Sequence, residues 1–433
     1  MDTDAPPLTD LETKVLQALD PEAMLADLAE LVAFAPVGGT DGEDAVQRWC
    51  ARRLRELGFT VHEWDVDLAA ARSSAAYPGE EVRRDRLVGV VGQRGGAEGE
   101  APALVLCGHT DVVPAGDPGR WGSDPFALQV HGDGDVRVLT GRGTCDMLGG
   151  VAAVLAAARA LASCGVETSR GLAVHLVSGE EDGGVGAWST LAAGHRGDAC
   201  VIAEPTGGAV IPANAGSLTF RLEVPGRSAH GSTRTLGESA VDHFVGVLAT
   251  LRSLEAARNA HAPYDFAHLD LVAPIAVGIV RAGEWASTVP DRLVAEGRYG
   301  VLPGEPLEEA RAAFEAAVAA TGDQDPWLRE HPVVVSWPGG AFASGALPDG
   351  HPLLEETCAA ATSAGAGRPR VEGAPYGSDL RHYAERGIPT LQYGPGSLGA
   401  AHAVDESVTA RELMTCARTY ALLALRRCGA TAP

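Results

Sequence analysis

The stretch ALVLCGHTD at 103–111 runs five apolar residues into a glycine and then straight into His109, Thr110 and Asp111. A short apolar run with punctuation at its end is the pattern of a strand covered on both faces, and open α/β sheets place their ligands at such strand ends. Comparable runs stand at 172–177 (LAVHLV), 199–203 (ACVIA) and 389–392 (PTLQ). Between the first two, an alanine-rich stretch at 149–162 suits a helix packed closely on a sheet. Helical spacing behind acidic starts marks 20–34 and 42–58, 59–64 reads as a strand, and 409–427 reads as a final helix. The alternation predicts an α/β fold, a mostly parallel sheet with helices on both faces.

The texture changes near Gly216. LTFRLEV at 218–224 alternates apolar and polar residues, a helix is expected at 238–257, and 273–280 and 292–301 read as half-covered strands. The pattern predicts an α+β domain at 216–335, inserted into a larger domain built from 1–215 and 336–433. The charged, glycine-rich stretch 71–99 reads as a surface excursion.

Of the 433 residues, 45% are hydrophobic and 21% charged, an ordinary globular balance. Lys+Arg 34 against Asp+Glu 57 leaves a net charge of −23, which repels phosphate backbones and anionic membranes, so neither nucleic acid nor membrane is expected as a partner. The eight cysteines are scattered singly with no CxxC pair, as in proteins that keep their thiols reduced. The first twenty residues lack the basic start and apolar run of a secretory signal, and the expected location is cytoplasmic.

Acids and imidazoles recur at the strand ends. His109 and Asp111 share a face if the strand geometry persists, so Asp111 can bond the imidazole or a neighbouring group and orient His109 as a metal ligand. Asp146 lies in GRGTCDMLGG (141–150), where a carboxylate either caps the following helix or bridges two cations. Glu180, Glu181 and Asp182 crowd the end of LAVHLV, and like charges so packed call for a compensating cation. Glu204 follows ACVIA, and His402 precedes the last helix. Nitrogen and oxygen donors of this kind suit zinc, with cobalt or manganese as substitutes.

The segments LVLCGHTDVVP (104–114), WGSDPF (121–126), GRGTCDMLGG, SGEEDGG (178–184), AEPTG (203–207), GRSAHGS (226–232), TVPD (288–291), LPGE (302–305), YGSD (376–379), YGPG (393–396) and AHAVDE (401–406) follow one another in a familiar order. Over nearly the whole chain they resemble the M20 metallopeptidases and amidohydrolases, the group of acetylornithine deacetylase, succinyl-diaminopimelate desuccinylase, aminoacylase-1 and glutamate carboxypeptidase. The resemblance implies two zinc ions per chain. Asp146 would bridge them, His109 and Glu204 would complete one site, and Glu181 and His402 the other. It also implies Glu180 as general base and Asp111 as the orienter of His109. The inserted domain would be a lid that forms a homodimer, with His230 reaching into the partner's site to stabilise the oxyanion.

The activity implied is removal of an acyl group from an N-acyl amino acid or related amine, of the acetylornithine-deacetylase type. A dipeptidase or carboxypeptidase of the same family is the rival. A non-catalytic dimer that binds a small molecule, or a hydrolase using Cys145 as nucleophile, stands further off. Several positions depart from the family pattern. Ser287 replaces an asparagine, Arg298-Tyr299-Gly300 stands where Asp-x-Arg is usual, and Leu148 replaces a lysine. Ser287, Arg298, Ser378 and Arg381 are therefore the candidate substrate-binding residues, the arginines as anion clamps.

Overall fold

All six residues of the strand Leu104–His109 are buried, because strands flank it on both sides in a six-stranded sheet. The computed structural model describes residues 7–97, 99–261 and 263–431. The sheet order is Thr60–Asp65, Val88–Arg94, Leu172–Val177, Leu104–His109, Cys200–Ile202, Thr390–Gln392. The last four are mutually parallel, Val88–Arg94 runs antiparallel to both of its neighbours, and Thr60–Asp65 therefore runs in the direction of the last four. This is the predicted mostly parallel sheet. Leu172–Val177 is likewise buried throughout, so both faces are covered.

The alanine-rich helix Leu148–Ser163 packs on Leu104–His109 and against the C-terminal helix Ala410–Arg427. Its small residues permit a close approach: a Cβ on Gly150 would stand 2.3 Å from the Ala203 carbonyl oxygen. The stretch 71–99 departs from its expected character. It contains the sheet strand Val88–Arg94, and Arg84 within it is only 1% exposed. Charge in a sequence signals solvent only when the charge has no buried partner, and Arg84 has two.

Contacts divide the chain into two units. The first comprises Met1–Pro212, Ala346–Glu372 and Asp379–Pro433, and the second Ala213–Gly345 with Gly373–Ser378. The second unit is built on an antiparallel sheet in the order Ile275–Ala282, Arg292–Val301, Gly216–Pro225, Val334–Ser336. Strict alternation along Gly216–Pro225 buries Leu218, Phe220, Leu222 and Val224. The helix Ala240–Asn259 packs on the sheet, and Phe314 of the helix Leu307–Ala319 meets Phe220 and Tyr299 at centroid distances of 4.8 and 4.9 Å. Ile275–Ala282 is the edge strand, and its Ile279 and Val280 are exposed. No helix among the described residues is long and apolar enough to cross a membrane.

Candidate metal centre

Parallel strands end together, so the loops after Leu104–His109, Leu172–Val177 and Cys200–Ile202 open on one edge of the sheet of the first unit. His109 is the last residue of its strand, Glu180 and Glu181 follow the second, and Glu204 follows the third. Two further loops join them. Asp146 comes from the turn before Leu148–Ser163, and His402 from the segment before Ser407–Thr409. Ser407–Thr409 pairs with Val138–Thr140, which carries His402 to the Asp146 loop.

Two triads result: His109, Asp146 and Glu204, and Asp146, Glu181 and His402, the potential ligand atoms of each lying within 4.8 Å of one another. His109 Nε2 is 3.1 Å from Asp146 Oδ1 and 3.8 Å from Glu204 Oε2. His402 Nε2 is 3.5 Å from Asp146 Oδ2 and 3.0 Å from Glu181 Oε2. Each oxygen of Asp146 therefore serves a different triad. His109 and Glu204 of the first triad are buried, while the His402 side chain is 52% exposed, so the second triad opens toward solvent. His402 also holds a φ of 60°, sparsely populated for a residue with a Cβ.

The surroundings fix these groups. His109 Nδ1 donates to the Asp111 carbonyl oxygen at 3.0 Å, which leaves the Nε2 lone pair pointing at Asp146. The Asp111 carboxylate was expected on the imidazole or a neighbouring group, and its nearer oxygen lies 3.7 Å from Nδ1. It takes the second course and accepts from the amides of Glu180 and Glu181, at 3.2 and 3.1 Å. Asp111 thus orients His109 through its backbone and the Glu180–Glu181 pair through its side chain. Asp146 does not cap the helix: Met147 is the N-cap, and no side chain bonds the first turn.

The protonation energetics test whether a cation fits. Burial raises the Glu180 carboxyl well above the usual range, assisted by the charges of Glu204 and Asp379. Burial pushes Glu204 up to about 8 against the pull of His109, and Glu181 rises through burial and the charge of Asp146. The bonds to Asp146 and Glu181 raise His402 to about 10. Burial opposes ionisation of Asp146 too, but its bonds to His109 and His402 outweigh that and hold it below the carboxylate range. Glu180, Glu181, Glu204 and the imidazoles of His109 and His402 thus hold their protons to higher pH than they would in water. A pair of divalent cations between these oxygens and nitrogens relieves the same repulsion, so the donor set fits such a pair.

Some residues of the site carried no role in the sequence reading. The Glu406 carboxylate, 1% exposed, accepts from Arg142 Nη1 at 2.6 Å and from the amides of Gly143, Cys145 and Asp146 at 3.0, 2.9 and 2.9 Å. It braces the loop that presents Asp146. Glu406→Gln is expected to weaken metal binding by roughly 10–100-fold, measured by titration against a competing chromophoric chelator. An unchanged affinity would show that the loop presents Asp146 without this brace.

The other sequence-predicted residues lie on further loops of the first unit and in the second unit. Arg381 is 2% exposed, and its Nη2 donates to the Gly183 carbonyl at 2.7 Å. It braces the loop after Glu180–Glu181. His230, Ser287, Arg298 and Ser378 belong to the second unit. His230 is exposed and bridges to Thr288, while Gly231 donates to the Ser287 carbonyl at 2.6 Å. Ser378 is buried, and Arg298 Nη2 donates to the Pro375 carbonyl at 2.9 Å. Cys145 is buried and bonds Ser397 O at 3.3 Å; burial and the charges of Asp146 and Glu406 push its thiol up, which removes it as a thiolate nucleophile.

The profile of peptidase family M20/M25/M40 matches residues 105–426, the span that holds both triads. The chain belongs to this family. Among M20 relatives, it is 30% identical over 429 residues to succinyl-diaminopimelate desuccinylase of Rhodospirillum centenum, covering 93% of this chain and 96% of that protein. It is 28% identical over 399 residues to N-formyl-4-amino-5-aminomethyl-2-methylpyrimidine deformylase of Bacillus subtilis, covering 88% and 87%. The fold is shared with the dipeptidase Dug1p from Saccharomyces cerevisiae, TM-score 0.77 at 13% identity, over 96% of this chain and 98% of that one. Human carnosine dipeptidase 1 shares it too, TM-score 0.73 at 14% identity, over 96% and 100%. The chain is an amide-bond hydrolase of a metal-dependent family.

Proposed function

We propose that the chain is a di-zinc deacylase that removes a small acyl group from an N-acyl amino acid or a related amine. The observation that carries this reading is the pair of triads sharing Asp146, with Glu180 beside them and outside both. His109 and Glu204 would hold one ion, Glu181 and His402 the other, and Asp146 both. Divalent cations so held supply Lewis acidity that polarises a carbonyl and acidifies water near neutral pH. Glu180 takes the proton of the attacking water on its carboxylate and passes it to the nitrogen of the leaving amine. Burial favours the protonated form of Glu180, so the carboxyl can hold that proton between the two transfers.

Arg298 supports an anionic group on the substrate. Among the described residues, its side chain donates to the Pro375 carbonyl and no carboxylate pairs with it, and burial lowers its pKa. A sheltered guanidinium in that state favours a carboxylate ligand. The resemblance to the Bacillus subtilis deformylase favours a second arm, N-formyl groups on heteroaromatic methylamines. The test is mass-spectrometric hydrolysis of N-formyl, N-acetyl and N-succinyl amino acids, N-formyl heteroaromatic methylamines and dipeptides, with zinc or cobalt and a chelator control. Cleavage of dipeptides alone would overturn the deacylase reading in favour of a peptidase.

The second unit supports a homodimer. Its edge strand Ile275–Ala282 exposes Ile279 and Val280, and Trp285 beyond it is 74% exposed. An unpaired apolar edge of this kind pairs readily with a second copy. In such a dimer His230, exposed on its turn, donates to the developing oxyanion of the partner's site. His230→Ala should remain dimeric by light scattering yet lose about 10²–10³-fold in kcat. Near-parent turnover in that variant would remove His230 from the chemistry.

A further inference from the structure

Arg84 is among the largest fully buried side chains of the protein, and it lies beside the loop that carries Glu180 and Glu181. Its Nε is 3.0 and 2.9 Å from the two Glu43 oxygens, and its Nη2 donates to Glu43 Oε1 at 2.9 Å. On the other side, Nη1 donates to Asp182 Oδ2 at 2.8 Å. The same Asp182 oxygen accepts from the amides of Glu81 and Val82, at 3.1 and 2.8 Å. Three segments distant in the chain thus meet at one guanidinium.

Arg84 also touches the loop backbone. A Cβ on Gly179 would stand 3.2 Å from Arg84 Cζ and Nη2, and one on Gly38 would stand 2.9 Å from Nη2. Gly179, at φ +69°, immediately precedes Glu180, so the guanidinium sits against the bend itself. Asp111 grips the amides of Glu180 and Glu181, and Arg84 holds Asp182, the next residue. A cavity of about 170 Å³, lined in part by Val37, Val82, Arg84, Val112 and Asp182, lies alongside. It offers room for the loop to shift if this hold is lost.

A buried ion pair of this kind is weak evidence for stability, since apolar packing can replace it. What only a planar fork supplies is geometry fixed to two acids at once. We infer that Arg84 is a positioning residue: through Asp182 and Gly179 it sets the turn that sends Glu181 to the metal site and leaves Glu180 free to move the proton. The inference rests on the roles proposed above for Glu180 and Glu181.

Arg84→Lys keeps the charge and removes the fork, and Glu43→Gln loosens Arg84 from the side away from the loop. Both are compared with Glu180→Gln for melting temperature, zinc per chain, zinc release to a chromophoric chelator, and kcat and KM on an N-acyl substrate. Arg84→Lys should carry its full zinc and release one of two equivalents faster than the parent. Its kcat should fall on the order of 10²-fold at a nearly unchanged KM, and Glu43→Gln should move the same way by less. Parent-like zinc release and kcat in folded Arg84→Lys, or a kcat lost only in proportion to zinc, overturns the inference. If Arg84→Lys does not fold, Glu43→Gln decides by the same two readouts. Full activity in Glu180→Gln would instead sink the general-base reading, while zinc release still reports on Arg84 through Glu181.

Discussion

Glu180→Gln should fold, bind its full complement of metal and hydrolyse substrate roughly 10²–10⁴-fold more slowly than the parent chain, the span general-base catalysis commonly covers. Glu180 belongs to neither triad, so the substitution leaves all five proposed ligands in place. Glutamine nearly matches the side chain in shape and cannot accept the proton of water. The loss should therefore fall on kcat with KM little changed, because the interaction removed exists in the transition state and not in substrate binding. Metal content measured on the same sample separates a lost base from a lost ligand. Parent-like turnover would move the base elsewhere, and Asp379 is the next carboxyl to test: it is buried, its charge bears on Glu180, and burial pushes it up to about 6.

The fold was legible wherever local pattern and tertiary environment agree. Arg292–Val301 and the fully buried Leu104–His109 follow from apolar runs and alternation alone. The strand Val88–Arg94 was not, since its VGVVG core is embedded in charge and glycine that read as loop. The same blindness hid Arg84. Its partners Glu43 and Asp182 lie 41 and 98 residues away, and no periodicity within a window links them. Glu406 stood inside a quoted motif, but the four groups it braces are more than 250 residues distant. For Asp111, spacing fixed the face and not the partner: two amides that arrive from another strand capture the carboxylate. Residues that could bind metal are thus visible in sequence, while those that aim them appear only once the chain is folded.

Stripping the metal should abolish turnover and lower the melting temperature, and the second effect should grow with pH. A ligand present at about a thousand times its Kd contributes about 4 kcal/mol to the folded state, which corresponds to about 8 °C for a domain of more than 150 residues. The pH dependence follows from the metal-free site. Glu204 moves from an ordinary 4.5 to about 8, and His402 from 6.5 to about 10, so between those limits the folded chain holds protons that the unfolded chain has released. Raising the pH therefore favours unfolding of the stripped protein, progressively from about pH 5 to about pH 10. Asp146 has the opposite shift, but its window lies below 3.8, so it adds no slope at neutral pH. In the loaded protein, cations take the place of those protons: above about pH 7 these groups add no slope, and below it, where the unfolded chain takes up protons, they favour the loaded fold more as the pH rises. Calorimetry of stripped and zinc-loaded samples at pH 5.5, 7 and 8.5 should show a gap that widens with pH. A gap that stays constant would mean that these carboxyls and imidazoles do not share a cation site.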